Sequence, residues 1–340
     1  MRILSRLIFL FALGALAWGQ AVITLPGGQV SLGIGPLGQL GAGSLPAGSN
    51  DPGSKYGIYL AAQHADAIAP GCFCEGWGIS ANGVAGYAAN DDGGNSNIAS
   101  SSFSSTATTA TSVVTLTGTT LQISQAYAPA PAVGANTVLF VDTVTLTNTG
   151  SSALTNVRYA RSMDWDIPPT EFNEYVTIGG VGASALLFSN DDGFCTPNPL
   201  TDSSSTCPLQ FTGVSSNNVN VTKIGPADQG SLFVFGLGNL AAGASKTFYI
   251  YYGAGINEAA SIGALTAVAA EVYALGYASN GPSGTVNTNS GVWAFGFAGV
   301  GGTPIGGTSV PALSNWGLGL LAMLLIGATA FKLRSDSAGA

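Results

Sequence analysis

Charged side chains are scarce in this chain of 340 residues. Asp, Glu, Lys and Arg make up 8% of the sequence, whereas soluble globular domains average about a quarter. The basic residues between the two ends of the chain are Lys55, Arg158, Arg161, Lys223 and Lys246. Because phosphate contacts need clustered Lys and Arg, the sequence predicts that nucleic acid is not a partner.

Histidine is scarcer still, since His64 is the only one. A Ser-His-Asp or Cys-His catalyst would have to use it, and the chain has no G-x-S-x-G turn to present a nucleophilic serine. The sequence therefore predicts a protein that is not an enzyme of this class. We predict no cofactor.

The N-terminal residues 1–21 have the three parts of a secretory signal peptide. Arg2 and Arg6 precede an apolar run over 7–17, and the small residues Gly19 and Ala21 follow as candidate cleavage sites. An uncleaved N-terminal anchor is the alternative, although the apolar run is short for a membrane span. Cleavage would change the formal charge from −8 to −8 − 2 = −10, so the exported part is acidic.

An uncharged run over 316–331 lies near the C-terminus, and a helix over 313–333 would supply the roughly 20 apolar residues that span a bilayer. Lys332 and Arg334 follow it, on the side that the positive-inside rule assigns to the cytoplasm. The run is preceded by a short motif composed of Val310, Pro311, Ala312, Leu313, Trp316 and Gly317.

This tail resembles the bacterial IPTL-CTERM sorting signal, a relative of PEP-CTERM. That signal consists of an Ile/Val-Pro-Thr-Leu-x-x-Trp-Gly motif, a membrane helix and a short basic end; here Ala312 stands in place of Thr. The resemblance implies export through the Sec translocon, an inner-membrane intermediate held by the C-terminal helix, and processing by an exosortase-type enzyme. The implied destination is the cell surface or the extracellular space of a Gram-negative bacterium.

The four cysteines of an exported chain more often form disulfides than metal sites. The short polar loop between Cys195 and Cys207 predicts a disulfide that closes it. The pairing of Cys72 and Cys74 stays open, because four cysteines allow three connectivities. A zinc site with all four thiolates is the alternative, although the spacing departs from the usual zinc knuckle.

Between the two ends, the chain is predicted to form an all-β body over 55–301. About a dozen strand-like runs alternate with clusters of turn residues. This pattern indicates one large sandwich or two abutting sandwiches. One helix is predicted near 258–275, capped by Asn257. A Gly- and Pro-rich segment over 22–54 is expected to be a poorly specified lead-in, and 302–309 a Gly-rich tether.

The densest charge lies over 158–175. Side chains alternate along a strand, so Asp164 and Asp166 should share one face, and Trp165 should be buried on the other. Arg161 would then lie on the apolar face, either paired with Glu171 or Glu174 or returned to the polar face by a bulge.

The four acidic residues of this segment are candidates for a calcium site, a sugar site or a glycosidase carboxylate pair. They are Asp164, Asp166, Glu171 and Glu174. The alternative is a salt-bridged strand and turn with a structural role. The repeated Asn-Asp-Asp-Gly at 90–93 and 190–193 is explained by turn chemistry, with calcium as the alternative.

The leading functional hypothesis is a non-catalytic, surface-sorted β-protein of the cell envelope or extracellular matrix. A carbohydrate-binding or calcium-binding surface module, with extracellular polysaccharide as partner, is the alternative, and a glycoside-active enzyme is the third. The carbohydrate hypothesis requires Trp or Tyr rings exposed in a row on one sheet, whereas the structural hypothesis buries them in the core.

Overall fold

The computed structural model describes residues 19–90, 94–131, 138–281 and 284–307. Most of the predicted signal peptide and the predicted membrane helix lie outside these residues. Within the described ranges, no helix combines the length and apolar character needed to cross a bilayer. The chain divides into two compact units, Met1–Ile305 and Gly306–Ala340, and only residues 306 and 307 of the second are described.

The described residues form strands β1–β19, one α-helix and one short 3₁₀ helix. The strands are β1 (Ala21–Thr24), β2 (Val30–Ile34), β3 (Ile58–Leu60), β4 (Ala65–Asp66), β5 (Glu75–Ala81), β6 (Val84–Ala89), β7 (Asn95–Ser96), β8 (Ile98–Ser105), β9 (Ala110–Leu116), β10 (Leu121–Pro129), β11 (Leu139–Asn148), β12 (Leu154–Asp164), β13 (Glu174–Gly179), β14 (Leu186–Asn190), β15 (Val221–Ala227), β16 (Gly230–Leu240), β17 (Ser245–Gly255), β18 (Val272–Tyr277) and β19 (Val292–Ala298). The helices are α1 (Glu258–Ala267) and the 3₁₀ helix Ala61–Gln63.

The strands form three antiparallel sheets. A nine-stranded sheet has the order β15-β13-β18-β19-β17-β11-β10-β9-β8, a six-stranded sheet the order β14-β16-β12-β5-β6-β7, and a four-stranded sheet the order β1-β2-β3-β4. The prediction of a mostly β, sandwich-like body with one helix is confirmed. The strands outnumber the predicted dozen because several of them, such as β4 and β7, are too short to produce a periodic sequence pattern.

Aromatic rings join the six-stranded sheet to the nine-stranded sheet. Tyr159 of β12 packs edge-on against Phe248 of β17 with ring centroids 4.9 Å apart, and Phe235 of β16 lies 4.7 Å from Phe297 of β19. Such pairs contribute about 0.5–1.5 kcal/mol beyond the burial of their surface. The two sheets therefore share one core, which also contains apolar residues of the four-stranded sheet.

Strands at different places in the nine-stranded sheet show different burial. In β9 and β10, buried and partly exposed residues alternate, so one face packs on the core and the other faces solvent. All residues of β19 are buried, because α1 and its neighbours cover the outer face of that strand. This cover explains why the sequence of β19 is continuously apolar.

The segment 22–54 is more structured than its sequence indicates. It contributes β1 and β2, and the backbone oxygens of Leu37 and Gly38 accept hydrogen bonds from Trp77 (3.0 Å) and Tyr127 (2.7 Å) in the core. The expectation of a poorly specified lead-in thus differs from the structure. β1 and β2 pair with each other, whereas the contacts of the segment with Trp77 and Tyr127 come from distant parts of the chain, which local composition does not indicate.

The helix α1 begins where predicted, since Asn257 accepts a hydrogen bond from the backbone N–H of Ala260 at 2.9 Å. It ends at Ala267, however, so the predicted extension to residue 275 is wrong. Ala269 has a left-handed backbone (φ 54°), and β18 begins at Val272. The apolar residues of β18 continued the helical spacing by coincidence, and their burial comes from pairing with β19.

Candidate functional site

Arg161 lies on the core side of β12, and the side chain is fully buried. Its guanidinium forms a salt bridge with Glu75 of β5, so the predicted pairing with Glu171 or Glu174 is wrong. Irregularities of pairing in β12 occur at 154–158, before Arg161, and do not return it to the polar face. The correct partner comes from an adjacent strand that is remote in sequence, which the local pattern does not indicate.

Trp165 is fully buried, and it directly follows the last residue of β12. The strand ends at Asp164, so Trp165 and Asp166 lie beyond it, although their predicted faces assumed a strand through both residues. Asp164 and Asp166 are themselves 1% and 0% exposed, so the carboxylates do not face open solvent as a strand with one polar face would place them. The chain leaves the sheet here, which buries both neighbours of the tryptophan.

A cluster of three aspartates forms at this strand end. Asp164, Asp166 and Asp228 each offer one carboxylate oxygen, and these oxygens lie within 4.8 Å of one another. We call this group the aspartate cluster. Asp228 was not among the predicted site residues, because it follows the distant strand β15 and has no acidic neighbour in the sequence.

The aspartate cluster lies where the chain crosses twice between sheets. After Asp164 the chain leaves the six-stranded sheet and enters the nine-stranded sheet at Glu174, the first residue of β13. It returns between Ala227, the last residue of β15, and Gly230, the first of β16. Asp164 pairs with Gly230, and Glu174 pairs with Ala227, so register brings the two crossovers together.

Burial dominates the electrostatics of the cluster. Desolvation, followed by repulsion from Asp164 and Asp228, raises the pKa of Asp166 to about 9. The pKa of Asp164 is raised well above its usual range, first by burial and then by the charge of Asp228. A carboxylate pair in this setting either retains protons near neutral pH or needs a cation beside it.

The other two predicted acidic residues lie nearby in different environments. Glu174 is fully buried; burial, and then the charges of Asp166, Asp164 and Asp228, raise its pKa to about 10. Its Oε1 accepts a hydrogen bond from the backbone N–H of Phe172, whereas Oε2 has no partner. Glu171 is partly exposed, and its charge also acts on Asp166.

All four cysteines lie in the described residues and form two disulfides. Cys195 is bonded to Cys207, and Cys72 to Cys74, with Cα–Cα distances of 5.5 and 5.2 Å. No thiolate is therefore available for a zinc site of these four residues. The Sγ atom of Cys72 lies 3.8 Å from Oδ2 of Asp164, so the loop around the Cys72–Cys74 disulfide packs against the aspartate cluster.

The second Asn-Asp-Asp-Gly sequence forms a buried turn. The carboxylate of Asp191 accepts hydrogen bonds from the backbone N–H groups of Gln210 (3.0 Å) and Phe211 (2.8 Å), and Asp192 accepts one from Phe194 at 3.0 Å. These hydrogen bonds stabilise the loop 190–211 and use carboxylate oxygens that a cation would otherwise bind. The first copy lies partly outside the described residues, at 91–93.

Other candidate sites lack catalytic groups. His64 is exposed at the end of the 3₁₀ helix and makes no side-chain hydrogen bond within the described residues. A groove of about 750 Å³ beside α1 is lined mainly by Ala and Gly, with no titratable side chain among its lining residues. Trp77, Trp165 and Trp293, the tryptophans of the described ranges, are fully buried and form no exposed row.

Comparisons with known proteins identify the tail and leave the body without a family. No curated protein matches the chain. A solved structure of a galactose mutarotase related enzyme from Lactobacillus acidophilus is similar over 83% of this chain and 86% of that chain, with 7% identity and a TM-score of 0.31. A likeness at this level assigns neither a fold nor an activity. Residues 308–334 match the IPTL-CTERM motif, so the chain carries a C-terminal sorting signal of this type, which implies export toward the cell surface and an exosortase-like processing system.

Proposed function

We propose that this protein is a non-catalytic, surface-sorted β-sandwich protein of the bacterial cell envelope or extracellular matrix. The observation that carries the proposal is the IPTL-CTERM match over 308–334. The low charge of the body supports it, because a surface rich in Ser, Thr, Asn and Gly suits a matrix component better than a protein that binds charged substrates.

The described residues support the non-catalytic part of the proposal in three ways. His64 has no hydrogen-bonded nucleophile. The carboxylates of Asp164, Asp166 and Glu174 are buried and not arranged along an open cleft. The groove beside α1 has room for a small molecule but offers no acid, base or nucleophile.

The proposed route begins with the signal peptide over 1–21 and the Sec translocon. The helix over 313–333 then holds the protein in the inner membrane, with Lys332 and Arg334 on the cytoplasmic side. Processing takes place near Val310 and Pro311. Proline disfavours helical backbone in the residue before it, so we expect Pro311 to favour processing by a membrane enzyme at this position.

The test is a double substitution, Pro311→Ala with Trp316→Ala, in the full chain expressed in a host that has an exosortase. We expect the variant to stay in the inner membrane at full-length mass, while the wild type reaches the surface with a shortened C-terminus. The matched control is Ser314→Ala with Asn315→Ala, which changes only variable positions of the motif. If the double variant reaches the surface at the wild-type mass, the tail is only an anchor and the proposal fails.

Carbohydrate binding is the competing function, and the buried tryptophans do not support it. A glycan array probed with the purified protein separates the two. Specific retention by an extracellular polysaccharide would favour a binding module, whereas an absence of retention together with matrix localisation would favour a structural component.

A further inference from the structure

Two residues of the aspartate cluster, Asp164 and Asp166, are buried, and no residue of the cluster has a basic partner within the described residues. Within the described ranges, the salt bridges join Arg161 to Glu75 and Lys223 to Glu258, and neither involves an aspartate of the cluster. Both carboxylate oxygens of Asp166 and Oδ1 of Asp164 lack any hydrogen-bond partner. Buried polar atoms nearly always have a hydrogen-bond partner. Three buried carboxylate oxygens without one therefore indicate that a positively charged ligand binds here.

Two further side chains beside the cluster also have an oxygen atom without a hydrogen-bond partner. Glu174 is fully buried, its Oε2 has no partner, and it interacts electrostatically with all three aspartates. Gln229 directly follows Asp228 and is also fully buried. Its Nε2 donates to the backbone oxygens of Glu174 (3.0 Å) and Ile224 (2.8 Å), which fixes the amide and leaves Oε1 unpartnered.

We propose that Asp164, Asp166 and Asp228 bind a divalent cation, with calcium as the ion that fits them. The donor atoms are hard carboxylate oxygens, which calcium prefers and which zinc uses less than nitrogen or sulfur. Two oxygens bound to one calcium ion at about 2.3–2.6 Å lie at most about 5.2 Å apart. The separations within the cluster, up to 4.8 Å, lie below that limit.

The location gives the ion a structural role. Asp164 and Asp166 belong to the crossover that leaves β12, and Asp228 belongs to the crossover that returns to β16. One bound ion therefore ties together two of the crossovers between the six-stranded and nine-stranded sheets, from β12 to β13 and from β15 to β16. Asp228 is exposed, which provides a route for the ion from solvent.

Binding and stability of the full chain, purified in detergent and freed of metal with a chelator, test the proposal. Titration calorimetry with calcium chloride should give one site per chain, and calcium should raise the melting temperature. The titration should extend to about 10 mM, because extracellular calcium modules have dissociation constants as weak as about 10⁻³ M. A wild type that shows neither heat nor a melting shift in this range overturns the proposal.

Three variants assign the ligands. Asp166→Asn and Asp228→Asn should each weaken calcium binding at least about tenfold, since even outer-shell substitutions cost that much. The control is Asp142→Asn, a buried carboxylate outside the cluster, which should bind calcium as the wild type does. Asp228 is exposed, so its variant remains informative if a buried variant does not fold. Unchanged affinity in the Asp228 variant, or tighter binding of magnesium than calcium, contradicts the assignment.

Discussion

Arg161 and Glu75 form a salt bridge between neighbouring strands of the six-stranded sheet, with both side chains fully buried. The guanidinium also lies 5.2 Å from the ring centroid of Tyr252 and donates to Oε1 of Gln125 at 3.2 Å. Both of these partners belong to the nine-stranded sheet. One arginine thus contacts side chains of both sheets inside the core of the sandwich.

Breaking this pair on one side should be strongly destabilising. We expect Arg161→Met or Glu75→Gln alone to lower the free energy of unfolding by about 3–5 kcal/mol, because each leaves a buried charge without its partner. The double variant should lose less than the sum of the two. Urea unfolding of the four proteins measures the coupling, and strictly additive losses would show that the two side chains do not interact.

The Cys195–Cys207 disulfide closes a loop with a sequence separation of 12. We expect the exported protein to contain no titratable thiol under denaturing conditions, and mass spectrometry of its peptides to recover this pair. The double variant Cys195→Ser with Cys207→Ser should lose about 3 kcal/mol of stability, because the unfolded loop regains its entropy. Four free thiols with stoichiometric zinc would contradict the pairing.

The N-cap of α1 contributes less to the free energy of unfolding than the salt bridge or the disulfide does. Asn257→Ala removes the acceptor for the Ala260 N–H and should cost about 1 kcal/mol, whereas Asn257→Asp or Asn257→Ser should retain most of the stability. Thermal unfolding of the three variants checks the order. An alanine variant as stable as the wild type would show that packing of α1 on β19 alone holds the helix.

Local patterns were sufficient to predict some individual strands, such as β10 and β11 of the nine-stranded sheet. The alternation in β10 and β11 and the cap at Asn257 depend on neighbouring residues, so the sequence predicts them directly. The end of α1 could not be predicted, because the residues of β18 have the same apolar spacing as a helix. Their conformation is decided by pairing with β19, which is a non-local contact.

Only some residues of the candidate site could be predicted, because non-local strand pairing brings the others to it. Asp164 and Asp166 stand out because they flank Trp165 in a charged segment, and their alternation indicates a shared location. Asp228 joins them only because β12 pairs with β16 and β13 pairs with β15. Likewise, the partner of Arg161 is Glu75, which no pattern near either residue identifies.

Asp142 on β11 provides a pH-dependent test of the core. Its side chain is fully buried, and desolvation, opposed by the charge of Arg161, raises its pKa to about 7 from an unfolded value of 3.8. The native state binds the proton of Asp142 more tightly than the unfolded state does. The contribution of Asp142 to the free energy of unfolding is therefore at its full value below the unfolded pKa. It is lost as the pH rises toward 7.

Replacing this carboxylate by an amide removes its titration without changing its size. We expect Asp142→Asn to gain stability relative to the wild type as the pH rises from 4 to 8, by an amount on the order of a few kcal/mol, since one pKa unit corresponds to about 1.4 kcal/mol. Urea midpoints across this range measure the difference, and the other buried carboxyls cancel because both proteins contain them. A constant difference between wild type and Asp142→Asn at all pH values would mean that Asp142 does not titrate in this window, and that Arg161 keeps it ionised in the native core.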